Sequence, residues 1–186
     1  MAQQLAVQAG TKPPAAVISA AANEAHQYLT FSLGGEMYAV GILNVKEIIE
    51  YGSLTEIPMM PPFIRGVINL RGSVVPVIDL TARFGGKSTE VGRRTCIIIV
   101  ELAQEEGHHD IGIMVDAVSE VLDIPPAEIE PPPSFGARIR ADFIAGMGKV
   151  AGTFVIILNV HRVLSVEEMA ILTTKQGSAA EAQAGA

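Results

Sequence analysis

Tryptophan is absent from this chain of 186 residues, cysteine occurs once, and three tyrosines and six phenylalanines are all the aromatics among 49% apolar residues. Branched aliphatics must therefore fill the interior, and a ligand cavity walled with aromatic rings has little to draw on. The single cysteine, Cys96, excludes an internal disulfide. It lies in the apolar run TCIIIV at 95–100, where a free thiol acts as a small buried hydrophobe and fits a reducing cytoplasm. Basic blocks are missing as well. A formal net charge of −7 with no lysine/arginine cluster argues against nucleic acid or anionic lipid as partners. No apolar run reaches the roughly 20 residues that span a bilayer, and the N-terminus lacks the basic start and apolar core of a signal peptide. These absences predict a cytoplasmic protein without direct membrane insertion.

Catalytic patterns are equally scarce. Gly85-Gly86-Lys87-Ser88 ends like a phosphate-binding loop, but that motif needs glycine where Thr81 stands. The adjacent His108 and His109 have no cysteine or histidine cluster to complete a metal site, and His26 and His161 stand alone. Asp116, Glu120 and Asp123 surround an apolar segment, as solvated or turn-forming acids do. Neither G-x-S-x-G nor a Cys/His pair supports nucleophilic catalysis. The reading is of a non-enzyme with no cofactor and no metal.

Short apolar runs separated by turn residues occupy the middle of the chain. Residues 27–33 and 36–41 flank Gly34-Gly35; 67–70 and 73–80 flank Arg71-Gly72; 146–150 and 153–160 flank Ala151-Gly152. A fourth hairpin joins 95–102 to 110–115 through a polar loop at 103–109. Helix is limited to one turn at 79–84 and a short C-terminal helix at 165–172, opened by Ser165 with Glu168 three residues on. Parallel pairing is not expected, because long helical crossovers are missing. Residues 1–25 and 174–186 read as flexible tails.

The strongest internal signal is a repeat. FIRGVINLRGSVVPVIDLTARF at 63–84 returns eighty positions later as FIAGMGKVAGTFVIILNVHRVL, with Phe63/Phe143, Ile64/Ile144, Gly66/Gly146, Gly72/Gly152 and Val75/Val155 identical. Upstream, YAVGILNVKEII at 38–49 aligns with IGIMVDAVSEVL at 111–122, matching Val45 to Val118 and Glu47 to Glu120. The chain thus predicts two homologous β-subdomains of about five short strands each, the size of a small barrel. Residues 74–80 and 154–158 are almost continuously apolar, as in strands buried on both faces, so the two barrels are expected to pack against each other. Pro76 marks an edge or bulge, and Ile156 in its place implies that the two edges differ.

Charge separates the copies. Arg65 and Arg71 become Ala145 and Ala151. Folding accounts for the shared glycines and strands but not for these arginines. Asn69 and Arg71 on one hairpin tip form a candidate grip for a carboxylate or backbone group of another protein. Ile42, Val45 and Ile48, with Glu47 among them, are candidates for the rim of a groove between barrels.

The run GVINLRGSVVPVIDL at 66–80, with YAVGILNVKEI at 38–48 and GIMVDAVSEVL at 112–122, resembles the CheW family of bacterial chemotaxis coupling proteins over about 27–172. The resemblance implies two intertwined SH3-like five-stranded β-barrels, an all-β fold, over residues 26–173. It implies an adaptor between the cytoplasmic tip of transmembrane chemoreceptors and the regulatory domain of the histidine kinase CheA, monomeric in isolation and recruited to receptor arrays. By motif, Ile42, Val45 and Glu47 match the receptor-facing segment, while Gly66 and Arg71 match positions implicated in coupling. Two alternatives stand beside it: a small-ligand-binding β-barrel, and a coupler serving surface motility or another kinase pathway.

Overall fold

The computed structural model describes residues 26–104, 107–134, 139–165 and 167. The expected tails, and all of the expected helix at 165–172 except Ser165 and Glu167, lie outside them. Strands form where apolar and polar residues alternate between turns: β1 Gln27–Leu33, β2 Glu36–Gly41, β3 Val45–Glu50, β4 Ile64–Leu70, β5 Ser73–Asp79, β6 Cys96–Gln104, β7 Gly107–Val115, β8 Ala117–Asp123, β9 Ile129–Glu130, β10 Ile144–Val150 and β11 Thr153–Leu158. One-turn helices follow two of them, α1 Leu80–Arg83 and α2 Val160–Val163.

All four hairpins form. Several boundaries shift, and β4 and β10 begin earlier than expected, at Ile64 and Ile144. The polar stretch at 103–109 is mostly strand, because β6 and β7 stay paired out to Gln104 and Gly107. The strands expected to end at 80 and 160 stop at Asp79 and Leu158. The cause is capping. The Asp79 carboxylate accepts the amides of Thr81 and Ala82, and the Asn159 side chain accepts that of Arg162, so each strand breaks into a helical turn at equivalent repeat positions.

The hairpins are exchanged between the two sheets. One sheet runs β8-β1-β2-β11-β10-β9 and the other β3-β6-β7-β5-β4. The first hairpin therefore joins strands from the second half of the chain, and the β6–β7 hairpin joins strands from the first half. This exchange corrects the expectation of purely antiparallel sheets, since β5 pairs with β7 in parallel and β11 with β2 likewise. The crossovers run through the opposite barrel or through α1 and β6 rather than through long helices.

Each sheet curls shut. β8 borders one edge of its sheet, and β9, which follows it in the chain, pairs with β10 at the other. In the second sheet Thr55, downstream of β3, bridges to Val67 of β4 through two 2.9 Å backbone hydrogen bonds. Side-chain alternation then divides the core three ways. Val75, Val77, Ile97, Ile99 and Met114 fill one barrel; Ala39, Ile124, Val155 and Ile157 fill the other. Between them lies a larger cluster that includes Phe31, Val40, Ile98, Ile113, Phe143 and Leu164. The barrels do pack against each other, as the doubly apolar strands required. Two residues depart from that reading: Val74 and Phe154, equivalent in the repeat, are 72% and 48% exposed. Cys96 is half-buried rather than buried.

Candidate partner-binding site

Arg71 and Gly72 turn the β4–β5 hairpin with φ of 50° and 89°, both left-handed. A two-residue hairpin loop needs that conformation at both positions to match strand twist. Asn69 holds the turn by accepting the Gly72 amide at 2.8 Å. Its side chain is thus engaged in the hairpin itself. The turn aims Arg71 outward, with its side chain 73% exposed, toward Glu47 on β3. The guanidinium and carboxylate meet as a fork, at 2.7 Å between Nη1 and Oε1 and 3.0 Å between Nη2 and Oε2.

β3 and β4 are the two outer strands of their sheet, so this ion pair spans the seam where the barrel closes. Gly66 lies on the same seam. Its φ of 146° and the Thr55 carbonyl, which a Cβ at position 66 would strike, explain why glycine is required there. Glu47, Gly66, Asn69 and Arg71 thus cluster around one seam. Beside it a shallow groove of about 350 Å³ is lined by residues that include Ile49, Thr55, Val67 and Asn69.

Ile42 and Val45 stand apart from that cluster. Ile42 opens a 3-10 turn, Ile42–Asn44, and Val45 begins β3; both are half-buried against the central cluster. Sequence reasoning missed Leu43 between them, 65% exposed at the middle of the turn. It also missed Val74, which the two-residue strand period should have revealed: Val75 points into the barrel, so Val74 must point out. Lys46, next to Val45, donates to Asp110 at 2.8 Å and lies 3.7 Å from Glu101. The Asp110 hydrogen bond raises its ammonium above the ordinary lysine value against an opposing desolvation effect.

Where β5 and β7 part, a groove of about 600 Å³ opens beside Lys46, Val74, Pro76 and Asp110, with no phenylalanine, tyrosine or tryptophan on its walls. Among the described residues no group of three or more His, Cys, Asp or Glu is placed to hold a metal ion, and no helix is long and apolar enough to cross a membrane. The arrangement offers a charged fork, exposed aliphatic residues and a rigid turn, which suit recognition of another protein surface.

Residues 27–168 match the model of the CheW-like domain. The chain belongs to the CheW family. Across 146 residues it is 36% identical to the chemotaxis protein CheW of Klebsiella aerogenes, covering 78% of this chain and 86% of that one. It is 31% identical over 139 residues to protein FrzA of Myxococcus xanthus, covering 75% and 84%. Among solved structures, the scaffolding protein TtCheW of Thermoanaerobacter tengcongensis superposes with a TM-score of 0.67 at 39% identity, over 74% of this chain and 86% of that one. The all-β, two-barrel CheW fold implied by the motifs is the fold observed.

Within the family frame, the two barrels of this CheW-family chain are not interchangeable. Glu120 repeats Glu47, but Ala151 stands where Arg71 stands in the first barrel, with the same left-handed backbone at φ 48°. The turn was kept and the charge was not.

Proposed function

We propose that this CheW-family chain is a non-enzymatic adaptor that couples the cytoplasmic tip of a chemoreceptor to the regulatory domain of the histidine kinase CheA. The observation that carries this reading is the Glu47–Arg71 fork on the seam of the first barrel, absent from the second. An exposed pair of this kind contributes little to folding, yet it presents a directional charge next in sequence to the exposed Ile48. Ile42, Val45 and Glu47 form the receptor-facing segment; Gly66 and Arg71 are the coupling positions, with Asn69 holding the turn. The protein is cytoplasmic and joins receptor arrays through its partners. It acts by holding two proteins in a geometry whose equilibrium the receptor biases.

The test is a pull-down of the full chain with a chemoreceptor cytoplasmic fragment and the kinase. Wild type should retain both. Arg71→Glu, which sets two carboxylates face to face, should weaken one partner by about 2 kcal/mol or more. Failure of wild type to retain either partner would overturn the adaptor reading. Unchanged affinities of a folded Arg71→Glu variant would remove Arg71 from the interface. A second reading at the level of pathway is a coupler serving surface motility or another kinase system; the receptor that is retained decides between them.

A further inference from the structure

Arg83 is a buried arginine in the layer between the barrels, and it contacts three residues of the repeat. Its Nε donates to the carbonyl of Val163 at 3.0 Å, and Val163 is the residue eighty positions on, its own repeat mate. Its guanidinium carbon stands 5.3 Å from the ring centre of Phe63 and 4.8 Å from that of Phe143, which are also mates of each other. Phe63 precedes β4 in one barrel. Phe143 and Val163 flank β10 and β11 in the other.

A residue bonded to its own mate sits beside the axis that exchanges the two barrels. The mate is valine, so one copy alone supplies this group. The surrounding cluster, with Leu80, Ile78, Leu158 and Val160, is apolar. Apolar contact stabilises burial but is weakly directional, so it tolerates small rotations of one packed layer on another. A guanidinium is planar and directional; it stacks on rings with its face and donates along its edge. The two rings and the carbonyl therefore define one rotation of the barrels at which all three contacts are made.

From this geometry we infer that Arg83 is a positioning residue, a pin that fixes the angle between the two barrels. The pin does not depend on the adaptor reading, although under that reading the angle it sets is the one two partners would sense.

The experiment is a distance measurement by pulsed electron spin resonance on the full chain. Cys96→Ala removes the native thiol, and spin labels at Ala103→Cys on β6 and Lys149→Cys on β10 report one barrel each; both positions are exposed. With Arg83 intact the distance distribution should be single and narrow. Arg83→Met, similar in length but without donor or charge, should broaden or shift it by several ångström while far-ultraviolet circular dichroism stays native; Arg83→Lys should fall between. Ile78→Val, a truncation in the same cluster, should lower the melting temperature without broadening the distribution, which separates angle-setting from stability. An unchanged distribution in folded Arg83→Met overturns the inference. So does loss of folding in both Arg83 variants, since that would make Arg83 a general requirement of the core.

Discussion

Arg71 carries two roles that pull apart under substitution. As half of an exposed ion pair it contributes about 1 kcal/mol or less to stability, and it sits in a left-handed conformation that costs a non-glycine residue about as much. Arg71→Ala should therefore leave the urea midpoint nearly unchanged, because alanine occupies the equivalent turn at Ala151. A drop of more than about 1 kcal/mol would mean that the fork clasps the barrel seam and is not chiefly a recognition device. Gly66 is the opposite case. Gly66→Ala drives a Cβ into the Thr55 carbonyl and strains φ, so it should cost about 3 kcal/mol or more in equilibrium unfolding. Gly52→Ala, with open space around it, should be within about 0.5 kcal/mol of wild type. The sequence could nominate Arg71, because charge present in one copy only has no folding rationale, and Glu47 through its place in the family motif. It could not pair them, because their approach depends on which strands end up at the two edges of a curled sheet. Asn69 was legible as a polar residue near the tip, but its bond to the Gly72 amide depends on the turn geometry.

Three hairpins were legible as elements because each combines apolar strands with a two-residue turn containing glycine, and the fourth because a polar stretch separates its two apolar runs. Their boundaries were not, since capping by Asp79 and Asn159 is a contest between strand and helix that an apolar run conceals. Pro76 shows how one residue sets the extent of an element. In the second barrel β11 begins its parallel pairing with β2 at Ile156, opposite Tyr38. In the first, β5 begins one residue later, at Val77 opposite Gly112. Val67, facing Pro76 across the hairpin, spends its backbone groups on Thr55, so the nitrogen at position 76 points toward β7, where it has no hydrogen to give. The 600 Å³ groove opens at that gap. Pro76→Ile should restore the missing pair. The amide at position 76 should then exchange with deuterium at least about tenfold more slowly than a free strand amide, and the groove should narrow. Rapid exchange there would mean that the strands separate for a reason other than proline.

At the scale of the whole molecule, the repeat disclosed two copies but not which copy completes which barrel. Similar halves look in sequence as though each folds by itself. In the structure the β1–β2 hairpin pairs with β8 and β11 from the far half, and β6–β7 pairs with β3 and β5 from the near half. The exchange follows from the short links after β2 and β7, which carry the chain straight into the other sheet before it can fold back. Most of the pairing that closes either barrel is therefore long-range, which makes folding slow and interdependent. Divided in the loop between α1 and β6, the chain should yield two fragments, 1–92 and 93–186, neither of which has a complete barrel. Each alone should lack a cooperative thermal transition, and each leaves a hairpin's apolar face without its strands. Mixed in equal amounts they should recover sheet signal by circular dichroism and elute together as one complex. The fragment 93–186 supplies β8 to β11, four strands of one barrel, and is the more demanding case. If it melts cooperatively as a monomer, the exchanged hairpin is an accessory to that barrel, and the interdependence of the halves fails with it.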